Sequence, residues 1–161
     1  MPLKLDTFKK SDIYEHLQTL YDYALKAQII LELGVREGES TKAFLEACKT
    51  TGGKVISIDI QDCHTVSEDL NWQFIQSDDL DIGWDKDIDL LFIDTSHDYG
   101  QTLAELEKFI PFVKRGGAIL MHDTDNKEVR QAIGDYLKDK LENYRIEIRD
   151  NCYGLGILTK L

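Results

Sequence analysis

Two acids and two histidines sit where this chain could do chemistry. Asp94 ends the apolar run Leu90-Leu91-Phe92-Ile93, and His97 follows on the next loop. Asp123 ends a second run, Ala118-Ile119-Leu120-Met121-His122. Two carboxylates at the ends of neighbouring strands can converge on one hard divalent cation such as Mg²⁺. Such an ion would bind an acceptor hydroxyl and stabilise the developing alkoxide. An imidazole ligand from His122 would shift the preference toward Mn²⁺, Zn²⁺ or Fe²⁺. His122 reads equally as a base or as a strand-end residue. His97 is placed to deprotonate a hydroxyl near pH 7, or else to contact a cofactor or cap the helix that follows. Asp94 has the same double reading, as a ligand-facing acid or as a cap.

Upstream, Ile29-Ile30-Leu31-Glu32-Leu33 leads into Gly34-Val35-Arg36-Glu37-Gly38 and then a helix-like segment from Ser40 to Lys49. This reads as a buried strand, a tight glycine turn and a helix N-terminus, where a ligand can approach the backbone. The carboxylate of Glu32 attracts a cationic or hydroxyl-rich ligand and repels a pyrophosphate. That points to a sulfonium cofactor before a dinucleotide. Asp59, ending Val55-Ile56-Ser57-Ile58, can accept both hydroxyls of a ribose. Asp78, after the next strand, can reach an adenine amine. The G-x-G-x-x-G of dinucleotide enzymes is absent, because Arg36 stands where the middle glycine would be. Read without a ligand, the same residues are two turn glycines and solvated strand-end acids.

Positioning these residues takes strands and helices in alternation. The spacing predicts an amphipathic helix from Ser11 to Ala27, capped by Ser11 or Asp12. It predicts strands over 28–33, 55–59, 72–76, 88–94 and 118–121, and helices over 38–49, 99–113 and 127–141. Lys114-Arg115-Gly116-Gly117 reads as a helix stop. An antiparallel edge pair is expected over 144–148 and 154–159. The acidic stretch from Asp78 to Asp87 reads as a loop, with Trp84 as a loop residue or a cover for an adenine. His16 reads as a helix-face residue and Trp72 as core. Near-continuous apolar strands indicate a parallel sheet covered on both faces. Ligands in such sheets bind beyond the carboxyl ends of the strands, where Glu32, Asp59, Asp94, His122 and Asp123 fall.

The 161 residues suit one domain, 1–161, with a helix at 11–27 and a core at 28–161. A net charge of −11 disfavours nucleic acid and anionic membrane surfaces as partners. No apolar run approaches the roughly 18–20 residues that span a bilayer, and the N-terminus lacks a signal-peptide core, so a cytoplasmic location is expected. The three cysteines, Cys48, Cys63 and Cys152, are far apart and form no zinc or disulfide pattern.

On these residues the chain resembles the class I S-adenosylmethionine-dependent methyltransferases. Glu32-x-Gly34-x-x-x-Gly38-x-Ser40 is similar to their first motif and Val55-Ile56-Ser57-Ile58-Asp59 to their second. Asp94-Thr95-Ser96-His97-Asp98-Tyr99, with Lys114-x-Gly116-Gly117 and His122-Asp123, resembles a subgroup of small-molecule and sugar O-methyltransferases and cephalosporin-hydroxylase-like proteins. The resemblance spans about residues 28–125. It implies a Rossmann-like, doubly wound α/β sheet of about seven strands, mostly parallel with an antiparallel edge hairpin. It implies S-adenosylmethionine contacts from Glu32, Gly34, Gly38, Ser40, Thr41, Asp59, Ile60, Asp78 and Asp94. It further implies a divalent cation on Asp94 and Asp123, with His122 beside them, and His97 with Asp94 as catalytic groups. The implied reaction is O-methylation of a small hydroxylated acceptor. A metal-independent N- or O-methyltransferase and a non-catalytic cofactor-binding subunit are the alternatives. No long insertion supplies a substrate lid, so the acceptor is small or a second subunit, such as a homodimer partner, completes its pocket.

Overall fold

Hydrophobicity on both faces makes the first five strands pair in parallel, in a computed structural model that describes residues 2–161. These are β1 (Ile29–Leu33), β2 (Lys54–Asp59), β3 (Trp72–Gln76), β4 (Ile88–Ile93) and β5 (Val113–His122). β6 (Tyr144–Arg149) and β7 (Leu155–Lys160) are the antiparallel edge pair. The strand order is β3-β2-β1-β4-β5-β7-β6. The order reverses between β1 and β4, which opens a crevice at their carboxyl ends.

α1 (Leu17–Ala24) and α2 (Glu39–Thr51) cover one face, with Leu17, Leu20 and Phe44 packed on Ile30, Val55, Leu90 and Phe92. α3 (Tyr99–Phe109) and α4 (Lys127–Leu137) cover the other, with Leu106, Phe109 and Tyr136 on Leu31, Leu33, Leu91 and Ile93. Each fully buried Leu or Phe contributes about 1.5–3 kcal/mol. The strict alternation along β1 sends Ile30 and Glu32 to the α1–α2 face and Leu31 and Leu33 to the other.

Several boundaries differ from the sequence expectation, each for a local reason. The first helix is shorter: Tyr14–His16 is a 3₁₀ turn, and the α-helix starts at Leu17. Neither Ser11 nor Asp12 caps it; Asp12 accepts a hydrogen bond from Arg36 at 2.7 Å instead. α3 ends at Phe109, and Pro111 sits in the following 3₁₀ turn, where the α-helix cannot continue. β5 begins at Val113 and runs through the Lys114–Gly117 segment expected as a stop. The pairing with β4 shifts register between Ile88 and Leu90, and Gly116 adopts φ 78°. α4 ends at Leu137 rather than Leu141. Trp72 is half-buried against the core and donates its indole N–H to Ser57. Trp84 packs edge-on to Phe109 of α3. His16 is fully buried rather than on a solvent-facing helix surface.

Candidate active site

The carboxyl ends of β1, β2 and β4 open on a cleft of about 370 Å³. Gly34, Asp59, Ile60, Asp78, Asp94 and Gln101 are among its walls. Gly34 has φ 88°, and a Cβ there would stand 2.0 Å from the Asp94 carbonyl oxygen. Only glycine lets β1 turn this close to the end of β4. Gly38 has φ 77° and forms the N-cap of α2 without a side-chain cap. Ser40 lines a smaller pocket of about 40 Å³ beside the same turn, together with Asp94 and Ser11.

Asp59 lies at the cleft but already serves the turn. Its Oδ2 accepts from the backbone N–H of Val35 at 2.7 Å and of Arg36 at 3.1 Å. Its Oδ1 accepts from Gln61 N–H at 2.8 Å. Arg36 has φ 48°, a conformation a non-glycine residue keeps when its surroundings impose it. The second strand's acid therefore holds the glycine turn in shape.

Glu32 and Thr41 meet beneath the glycine turn. Glu32 is fully buried and accepts hydrogen bonds from Ser40 Oγ at 2.6 Å, Thr41 Oγ1 at 2.7 Å and Ser57 Oγ. It stands one residue before the strand end, so alternation turns it under α2 rather than toward the cleft. Burial pushes its pKa up to about 7, against the opposing effect of the three hydroxyls.

The acid–imidazole cluster lies at the ends of β4 and β5. His97 Nε2 is 2.7 Å from Asp123 Oδ2. Ligating atoms of Asp94, His97 and Asp123 all lie within 4.8 Å of one another, a spacing that suits one divalent ion. His97 is half exposed, so the group is open to solvent. His122 lies behind this group rather than within it. Its ring is buried; Nε2 lies 3.0 Å from the Cys152 carbonyl, and Nδ1 lies 3.0 Å from Asp123 Oδ2 and 3.5 Å from Asp94 Oδ1. Both ring nitrogens have polar neighbours within the protein. Burial disfavours its charge, but hydrogen bonds to Asp123 and Asp94 and their charge outweigh it and push the pKa up to about 10. Burial alone would raise Asp123; His122 and His97 hold it below the usual carboxylate range instead.

Sequence reasoning missed four contributors. His16 Nε2 lies 3.3 Å from the same Cys152 carbonyl, and burial lowers its pKa. Cys152 and Tyr153 have φ 48° and 65°, so the β6–β7 loop is folded back onto the two histidines. Glu105 is buried in α3 against the cleft. Its one signal was an acid next to Leu106 on the apolar stripe of a helix.

A family model described as a methyltransferase domain matches residues 31–124, from β1 through the end of β5. No curated protein matches the chain. Among solved structures, it is similar to the N-methyltransferase NodS from Bradyrhizobium japonicum WM9 in complex with S-adenosyl-L-homocysteine, at 15% identity and a TM-score of 0.70, covering 98% of this chain and 90% of that one. It is similar to CalS11, a TDP-rhamnose 3′-O-methyltransferase of calicheamicin biosynthesis, at 17% identity and a TM-score of 0.70, covering 90% and 77%. It is also similar to the methyltransferase PaMTH1 from Podospora anserina bound to S-adenosylhomocysteine, at 16% identity and a TM-score of 0.69, covering 91% and 78%.

Proposed function

The chain belongs to the methyltransferase domain family, as an S-adenosylmethionine-dependent enzyme, and we propose that its acceptor is a hydroxyl of a small molecule such as a sugar. The observation that carries this reading is the contact of His97 with Asp123, 2.7 Å, at the mouth of the cleft and beside Asp94. Bound in the cleft, S-adenosylmethionine supplies a methyl group on a sulfonium, open to direct displacement. Gly34, Ile60 and Asp78 border it, and Asp59 keeps the glycine turn in place. Asp94, also at the cleft, would hold the sulfonium end by its negative charge. Ionised Asp123 accepts from His97 Nε2–H, which leaves Nδ1 to take the acceptor's proton. Asp123 then stabilises the imidazolium that results. Holding acceptor and methyl donor in line supplies most of the remaining rate.

A second reading is favoured by the three-residue cluster. Asp94, His97 and Asp123 fit a divalent ion, which would lower the acceptor hydroxyl's pKa in place of a base. His97 would then be a ligand.

Calorimetric titration of S-adenosylmethionine with Mn²⁺, and again with EDTA, tests both. Micromolar binding supports the cofactor. Turnover of a sugar and catechol panel that survives EDTA favours the base, and turnover lost in EDTA favours the ion. No binding in either buffer would sink the function, and binding without turnover would favour a non-catalytic subunit.

A further inference from the structure

Glu105 occupies a buried position on α3, between the packed helix face and the cleft. A carboxyl there is unfavourable unless partnered. Its Oε1 accepts from Thr95 Oγ1 at 2.7 Å and from Gln101 Nε2 at 3.0 Å. Its Oε2 is buried and receives no hydrogen bond. The same Gln101 amide donates to Asp79 Oδ1 at 3.2 Å, so one amide bridges the two carboxyls. Two carboxyls bridged by one amide and shielded from water cannot both ionise cheaply, so one of the pair keeps a proton. That proton gives the otherwise unpartnered Oε2 a role as donor.

The partners of Glu105 are what make this more than packing. Thr95 follows Asp94 in the turn after β4, and Asp79 follows Asp78 in the loop after β3. Both Thr95 and Asp79 line the cleft. Lys108, one helical turn below Glu105, fixes the same loop by donating to the carbonyls of Asp79, Leu80 and Ile82 at 2.6–2.8 Å.

We propose that Glu105 is a positioning residue for the cofactor, joining the loop after β3 to the turn after β4 through Thr95, the Gln101 bridge and a proton kept on the Glu105–Asp79 pair. The proposal rests on the cofactor reading above. With the proton in place, the two walls are tied and the cleft keeps its shape. Without it, two carboxylates face one another and the loop is driven off α3.

The groups facing the pair set the sign. Thr95 and Gln101 donate, Lys108 is the nearby cation, and Asp78 and Asp59 add negative charge around Asp79. Burial first, and then the charge of Asp79, push Glu105 up to about 8. Burial pushes Asp79 up to about 6. Both groups are raised, so the doubly ionised pair is the disfavoured state. The tie is therefore lost as pH rises through about 8.

The test is calorimetric titration of S-adenosylhomocysteine into the wild-type chain, E105Q and E105A between pH 6 and 9. The side-chain amide introduced by E105Q can donate to Asp79 and accept from Thr95 at every pH. The expected result is a wild-type affinity that falls roughly tenfold between pH 7 and 9, and an E105Q affinity that stays within about twofold of wild type at pH 7 and does not fall. E105A should bind roughly tenfold more weakly at pH 7. Where E105A fails to fold, the E105Q profile decides alone. Binding that changes equally with pH in wild type and E105Q overturns the proposal and leaves the cofactor reading intact. Absence of binding by wild type at every pH overturns the cofactor reading, and the proposal with it.

Discussion

His97 Nε2 and Asp123 Oδ2 stand 2.7 Å apart, joining the loop after β4 to the end of β5. Asp123 reaches this position through a left-handed backbone, φ 57°, which turns its carboxylate out of the sheet. The contact is the geometry of a base with its orienting acid.

His97→Ala should therefore lower turnover by about 10²–10⁴-fold, the usual contribution of a positioned base. Affinity for S-adenosylhomocysteine should stay within about threefold. The Mn²⁺ titration of the same variant separates the two roles. A loss of Mn²⁺ affinity of tenfold or more would assign His97 to the ion, and an unchanged affinity would assign it to the proton.

Glu32 should make the fold less stable as pH rises. Its pKa in the folded chain is raised to about 7 from an ordinary 4.5, because burial disfavours the charge. A raised carboxyl contributes stability that is fully present below the ordinary value and is lost as pH climbs through the folded value. The shift corresponds to about 3 kcal/mol. Urea denaturation at pH 5 and pH 8 should show a loss in the wild type, to which Glu105 and Asp79 also contribute, and a loss smaller by about that amount in Glu32→Gln. Equal losses in both would remove Glu32 as the cause.

Gly34→Ala should damage both fold and binding. A left-handed backbone costs a non-glycine residue about 1–2 kcal/mol. Here the added methyl also meets the Asp94 carbonyl at 2.0 Å, so β1 and β4 must separate. A lower midpoint in thermal unfolding and no measurable S-adenosylhomocysteine binding are expected. A variant that keeps wild-type affinity would show that the turn is not part of the cofactor site.

Asp59→Ala should weaken cofactor binding at least tenfold, because three backbone N–H groups lose their acceptor and the Arg36 conformation loses its support. A hydrogen bond to a charged group contributes about 1.5–3 kcal/mol. Asp59→Asn keeps one acceptor oxygen and should fall between alanine and wild type. Calorimetry on the three proteins gives the order, and an asparagine variant as weak as alanine would point to a need for the charge itself.

The alternation of apolar runs with amphipathic segments, by itself, determined the parallel sheet, its edge hairpin and the place of the crevice. Those follow from one-dimensional periodicity: five two-faced strands must be covered on both sides, and a carboxyl-end rim then collects Asp59, Asp94 and Asp123. Side-chain direction at a strand end is different. It depends on strand parity and on turn dihedrals that spacing does not record. Glu32 lies one residue inside β1 and is turned under α2. His122 is the last residue of β5 and is turned inward, where the Cys152 carbonyl arrives from the β6–β7 loop. His97 takes the open position beside Asp123 instead. Glu105 shows the same limit most plainly. Its sequence context was an amphipathic helix, and its partners, Thr95 and Asp79, belong to two loops that meet only once the sheet has formed. The chain's pattern set which elements exist and where a ligand would lie. Packing decided which of the polar residues open on the crevice and which hold the others in place.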